Sequence, residues 1–447
     1  MFEKINEWIK WLDGAIWGLP LIIFILAAGI FMTIRLGGLQ IRKLPKALKY
    51  MVHNEEGGEG EVSSFAALTT ALAATVGTGN IVGVATAICT GGPGALFWME
   101  VAACVGMATK YSEGLLAVKY RVLDENGKAR IDYDRCVSCG QCLVSCPFGA
   151  IVDKSQIFQV VRSIAEGNTV VAIVAPSFVG QFGKNVTVPK FVAAMKQLGF
   201  SDVVEVAAGA DVCAIEEARD FVEKVPAQQK FLATSCCPSW RMMARRLFPD
   251  ESGNISMTYT PMIYTARLVK HTHPGSKVVF IGPCAAKKLE AMQQELRSDV
   301  DFVLTYEELM GIFEAKAIDF SQLPDTDDLH DASGLGRGFA AAGGVAAAVE
   351  EVLRRTQPDM QVKIQRADGL LECRRLLTLA KAGKFDGYLL EGMACPGGCV
   401  AGAGTIIPAE AAKKQLDAHA KQATVSSCAE SPYRAFAGLL EEPAARE

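Results

Sequence analysis

Residues 278–288 read VVFIGPCAAKK. The apolar run Val278–Ile281 is short and rich in β-branched residues, which suits a buried strand. Gly282-Pro283 closes it, and Cys284 follows at once. The same arrangement occurs twice more, in FLATSCC at 231–237 and GYLLEGMAC at 387–395. Further strands are predicted at Val170–Val174 and Val203–Val206. Helical stretches such as Phe191–Leu198, Ile215–Glu223 and Gly344–Arg354 lie between strands, so the pattern from Ile157 onward is α/β. In open α/β folds the carboxyl ends of strands converge on one crevice. Cys236-Cys237, Cys284 and Cys395 with Cys399 are therefore candidates for a single site. The plain alternative is three unrelated buried thiols, each a small hydrophobe. Adjacent prolines and glycines at every group argue against it.

Upstream, CVSCGQCLVSCPFGAI places Cys136, Cys139, Cys142 and Cys146 in the spacing C-x2-C-x2-C-x3-C-P. Two residues between cysteines allow a tight turn that points successive sulfurs at one body. Thiolates are soft ligands for iron and sulfide, and this spacing predicts a [4Fe–4S] cluster, with zinc the alternative metal. No second such run occurs. Either all four cysteines hold one cluster, or Cys146 has lost its cluster and the other three need another ligand.

A chain of 447 residues is long enough for two or three domains, and its net charge of -4 points away from nucleic acid. Fourteen cysteines grouped in clusters, behind an N-terminus without a cleavable signal pattern, favour ligation over disulfides. Reduced thiols and an oxygen-poor cytoplasm are the expected setting.

The first 130 residues read differently. Residues 16–34 carry no charge, and 19 residues at about 1.5 Å each nearly cross a hydrocarbon layer of about 30 Å. Arg35, Arg42, Lys43, Lys46 and Lys49 follow, which predicts a cytoplasmic loop there and an outside N-terminus. A second span is predicted over Val62–Trp98, interrupted at Gly77–Asn80, and a weaker third over Val101–Val118. Broken helices of this kind can offer carbonyls to a cation. Three spans would leave the following domain on the cytoplasmic side of a membrane.

The segment GEGEVSSFAALTTALAATVGTGNIVGVATAICTGGPGALFWM at 58–99, with MATKYSEGLLAVKYRVLDENG at 107–127, resembles the sodium:alanine (amino acid:cation) symporters. The resemblance covers about residues 1–130, and most of that family's transport pathway has no counterpart in the chain. A working symporter is not expected. The join near residues 124–134 is either a genuine fusion or a misassembled reading frame.

TSCCPSW at 234–240, GPCAAKK at 282–288 and EGMACPGGCVAGAG at 391–404 resemble, in order, the three signatures of the iron-only, or [FeFe], hydrogenases. That resemblance implies that Cys237, Cys284, Cys395 and Cys399 hold a [4Fe–4S] cubane. Cys399 would bridge to a diiron subsite carrying carbon monoxide, cyanide and azadithiolate, the whole being the H-cluster. It implies a proton relay of Cys236, Glu217, Ser256 and Asp220, with Asp220 where the family usually has glutamate. Lys287 would reach a cyanide ligand and Met393 would pack on the diiron unit, while Lys288 is expected at the surface. Gly282 replaces a methionine, Ser239 a glycine, and GAG the usual GGG. Cys213, Cys373 and Cys428 read as structural thiols, and Cys89 and Cys104 as facing lipid or helix.

The expected architecture is multidomain. Residues 1–130 form a transmembrane α-helical fragment of about three helices, 131–155 a ferredoxin-like Fe–S segment, and 156–447 the α/β iron-only hydrogenase domain. The expected function is reversible proton reduction, with electrons relayed by the Cys136–Cys146 cluster from a ferredoxin or redox subunit. Hydrogenase maturation proteins are implied as partners, and the membrane through the front segment. The alternatives are a hydrogen or redox sensor on the same cofactor, or a non-functional chimera.

Overall fold

The computed structural model describes residues 19–38, scattered positions between 42 and 107, and residues 131–146, 151–225, 227–325, 329 and 331–439. It divides into two units, Met1–Asp134 with Cys146–Ala150, and Arg135–Ser145 with Ile151–Glu447.

In the first unit the apolar run forms a helix over Leu19–Arg35, 17 residues long. Gly37 and Gly38, at φ 61 and 63, end it in the left-handed conformation. The amides of Leu36 and Gly38 bond back to Met32 and Thr33, each at 2.9 Å. The expectation of a transmembrane fragment is overturned: among the described residues no helix is long and apolar enough to cross a membrane. At about 1.5 Å per residue the described residues of this helix reach about 26 Å, short of a hydrocarbon layer of about 30 Å. The topology argued from Arg35, Arg42 and Lys43 loses its basis with it. The break at Gly77–Asn80, and most of the two further expected spans, lie outside the described residues.

Among the described residues the second unit holds seven strands: β1 (Val170–Val174), β2 (Asp202–Glu205), β3 (Leu232–Ala233), β4 (Lys277–Gly282), β5 (Phe302–Thr305), β6 (Lys363–Asp368) and β7 (Tyr388–Met393). They form two sheets, β2-β1-β4-β5 and β3-β7-β6, and every pairing is parallel. Parallel sheets are covered on both faces, which explains why β1, VVAIV, is buried throughout. Alternate side chains enter different cores. Val171 and Ile173 join one with Val278 and Phe280, and Val170, Ala172 and Val174 another with Val279 and Ile281. In the smaller sheet Ala233 and Leu390 pack around Trp240, while Leu232 and Leu389 face the first core.

The helices that matter for the site are α1 (Ala207–Lys224), α2 (Pro238–Leu247), α3 (Pro261–Thr272), α4 (Ala286–Ala291), α5 (Gly344–Thr356) and α6 (Leu370–Lys381). α1 crosses the centre of the unit and packs on α3 and α5. β5 and β6 are not among the strands expected from sequence. β6, KIQRAD, is an edge strand with mostly exposed side chains, so it lacks the apolar run that marks its neighbours.

Candidate functional site

The carboxyl ends of β3, β7 and β4 open onto one cavity, bounded by Cys236, Cys237, Cys284, Cys395 and Cys399. Two sheets thus contribute to one crevice. Apolar walls complete it, Met393 and Met262 among them, together with Phe280 and Phe339.

Local sequence sets each thiol. Cys237 is the N-cap of α2, with Pro238 in the first turn, where a fixed φ suits the helix and no amide is needed. The indole of Trp240 donates to the Thr234 carbonyl at 3.0 Å and pins the preceding loop. The Ala394 amide donates to the Cys237 sulfur at 3.5 Å, tying the β3 loop to the β7 loop. Gly398, at φ 94, lies so close to the next loop that a Cβ would stand 2.6 Å from the Ala342 nitrogen. Only glycine fits between Cys395 and Cys399 at that point. The Gly397 amide donates to Asp368 Oδ2 at 2.6 Å and holds the turn.

Burial pushes the Cys284 thiol up to about 11, with the neighbouring Cys237 adding and Lys287 opposing. Burial, then Cys284 and Cys237, push Cys399 up to about 12, and Cys395 is raised by burial, then by Cys284 and Cys399. Thiols placed so deeply give up their protons only to a soft cation that replaces them. The donor set therefore fits an iron–sulfur group. The thiols surround a volume rather than a point: among the described residues no three His, Cys, Asp or Glu side chains could hold a single metal ion.

Beside the cavity, Cys236 is raised well above the usual thiol range, first by burial and then by Cys213 and Cys237. Glu217 on α1 is fully buried. The Ser235 amide and hydroxyl donate to its Oε1 at 3.0 and 3.3 Å. Burial raises Glu217 to about 8, with the Asp220 charge adding and the Ser235 bonds opposing. Ser256 also lowers it slightly, although no hydrogen bond of ordinary geometry joins the two. The Ser256 hydroxyl oxygen lies 2.8 Å from Thr258 Oγ1 and 3.4 Å from Asp220 Oδ2, and its single proton serves one of them at a time. Asp220 is half-buried and pairs with Lys224 at 2.8 Å.

Lys287 lines the cavity, bonded to Glu290 Oε2 at 2.6 Å and reaching the Cys236 carbonyl at 3.5 Å. Glu290 was missed by sequence reasoning, although its spacing of three from Lys287 on one helix is a usable signal. Glu391 was missed as well. It is buried and caps α5 through the Gly343 and Ala346 amides at 2.6 and 2.7 Å. Lys288 is not at the surface as expected. It is buried and paired with Glu308 at 2.9 Å and Asp153 at 2.8 Å. Cys213, Cys373 and Cys428 are wholly buried, and none of the fourteen cysteines forms a disulfide.

Of the upstream motif, Cys136, Cys139 and Cys142 fall in the second unit and Cys146 in the first. The Ser138 amide donates to the Cys136 sulfur at 3.4 Å. Cys139 lies on the wall of the same cavity, its thiol raised by burial and then by Cys142 and Cys136.

The family description "Iron only hydrogenase large subunit, C-terminal domain" matches residues 168–403, more than half of the chain. The chain belongs to this family. Residues 128–151 match a 4Fe-4S binding domain and residues 2–131 the sodium:alanine symporter family. The chain is thus a fusion of a symporter-like fragment with an iron-only hydrogenase large-subunit domain and an adjacent 4Fe-4S motif. It is 30% identical to the periplasmic [Fe] hydrogenase large subunit of Nitratidesulfovibrio vulgaris, over 62% of this chain and 85% of that one. It is 54% identical to the sodium/alanine symporter AgcS of Methanococcus maripaludis, over 27% of each chain. It spans about a quarter of the length of the transporter relatives it matches. The fold is similar to that of [FeFe]-hydrogenase HydA1 from Chlamydomonas reinhardtii, with TM-score 0.51 and 21% identity over 66% of this chain and 96% of that one.

Proposed function

We propose that the iron-only hydrogenase domain catalyses reversible reduction of protons to hydrogen. The convergence of Cys237, Cys284, Cys395 and Cys399 on one cavity carries this reading. Those four residues would hold the H-cluster, which when bound supplies iron-centred redox chemistry for joining two protons and two electrons. The chain's own residues supply the rest. Asp220 meets solvent and lies within reach of the Ser256 hydroxyl, from which passage to Glu217 would require that hydroxyl to turn. Glu217 is protonated near neutral pH, so it can give up and regain a proton within the interior. Cys236, held neutral by burial, would carry the proton to the cavity. Lys287, fixed by Glu290, would place a positive charge where negative charge gathers. Apolar walls keep bulk water out. Electrons would enter through Cys136, Cys139 and Cys142 from a ferredoxin or redox subunit in a reducing cytoplasm, and maturation proteins would assemble the cofactor.

Anaerobic expression with the maturation proteins tests this. Bound iron, infrared bands of carbon monoxide and cyanide, and dye-driven hydrogen evolution are expected. Protein that takes up no iron overturns it.

One observation favours a second reading, a hydrogen or redox sensor with the same cofactor. At Gly282 the Phe280 ring occupies the neighbouring space, so that a Cβ would stand 2.6 Å from it. The cavity wall there is aromatic, in place of the flexible methionine that the family resemblance implies. Infrared bands with negligible hydrogen evolution would decide for the sensor.

A further inference from the structure

The segment that carries the first three cysteines is seated on the catalytic unit by three separate contacts. Gly140, at φ 75, leaves a notch that the Ala403 methyl fills, so a Cβ on Gly140 would overlap that methyl. Arg246 Nη1 donates to the Cys136 carbonyl at 2.6 Å. Val137 packs into the core around Trp240, beside Cys237. Between these points Cys139 reaches the wall of the four-cysteine cavity. Arg246 belongs to the last turn of α2, and Cys237 caps the first. One helix of about 15 Å therefore ties the cavity at its N-terminus to the cysteine segment at its C-terminus.

We propose that Arg246 and Ala403 are positioning residues that lock the segment Arg135–Ser145 in one register against the cavity, setting the path by which electrons reach it. This rests on the redox reading of the site. Electron transfer weakens steeply with separation, so a segment free to slide would deliver electrons irregularly. The alanine of the GAG run is then the complement of Gly140. Glycine at that place would leave the notch open, and any larger residue at 140 would collide with the methyl. Arg246 supplies the second fixed point, since a guanidinium can hold a carbonyl in a defined direction.

Hydrogen–deuterium exchange on the full chain without iron tests the lock independently of any catalysis. Arg246→Ala and Ala403→Gly should each speed exchange of the amides of residues 136–142 by about fivefold, the loss of one modest contact, and the double variant by more. Exchange in β4 and β7 should stay as in the parent, which shows that the fold is kept. Arg246→Lys should restore part of the protection. In iron-loaded chain the magnetic interaction between the reduced clusters should weaken in the double variant. Unchanged exchange at 136–142 in the double variant overturns the proposal, even if the chain makes hydrogen. Faster exchange in a chain that makes none upholds the lock and overturns the functional reading instead.

Discussion

Lys287 Nζ stands 2.6 Å from Glu290 Oε2, and the two side chains are only 11% and 2% exposed. Neither charge has water to turn to, so each depends on the other. Replacing Glu290 with Ala strands a buried ammonium, and the expected loss is about 3–5 kcal/mol. Glu290→Gln keeps a hydrogen-bond acceptor and should cost less. Urea unfolding of the iron-free protein measures both. Equal stability of Glu290→Ala and the parent would show that the pair bears no such weight.

Glu217 gives the iron-free protein a pH dependence of defined sign. Its folded value is raised from 4.5 to about 8. Between those values the folded state binds a proton that the unfolded chain has released. The contribution is therefore complete below about pH 4.5 and lost as pH rises through about 8, with a slope of up to about 1.4 kcal/mol per unit. Glu217→Gln should flatten that part of the curve and should not lower stability above it. Denaturation midpoints across the range check this, and an unaltered slope in Glu217→Gln refutes it. The charge acting on this carboxyl is that of Asp220, itself paired with Lys224 at 2.8 Å.

Cys284→Ala should reduce iron retained after anaerobic reconstitution, because one of four donors is gone. Cys428→Ala, at a thiol buried beside Ser333 and not part of the cavity lining, should leave iron content as it was. Iron per chain and the visible spectrum separate the two. Equal loss from both variants would mean that general destabilisation, and not ligation, governs the metal.

Gly392 lies under the Trp240 indole, and a Cβ there would overlap the ring. Gly392→Ala should cost about 1–3 kcal/mol through forced displacement of a packed side chain. It should also disturb the loop that Trp240 pins through Thr234. A melting temperature equal to that of the parent would show that the ring can move aside freely.

Strands buried on both faces were legible in sequence, since burial demands continuous apolar runs. Val170–Val174 forms β1 with the expected bounds, and the strands before Cys284 and Cys395 form close to where they were expected. β6 escaped because an edge strand need not be apolar. Lys288 escaped for another reason: its partners Asp153 and Glu308 are distant in sequence, and residue type alone does not announce a pair. The roles of the candidate site residues followed from family resemblance. Their convergence also depended on two sheets, which no single stretch of sequence encodes. The front run misled because absence of charge does not fix where Gly37 and Gly38 stop a helix.

The four candidate donors straddle a seam. Cys237, Cys395 and Cys399 hang from one sheet, and Cys284 from the other. Whatever they grip becomes a rivet between two halves that otherwise meet by packing and a few hydrogen bonds, such as Gly404 N–H to the Pro283 carbonyl at 2.9 Å. Assembly then has an order, with both halves docked before the metal can be clasped, and stripping the metal should loosen that joint before it melts either half.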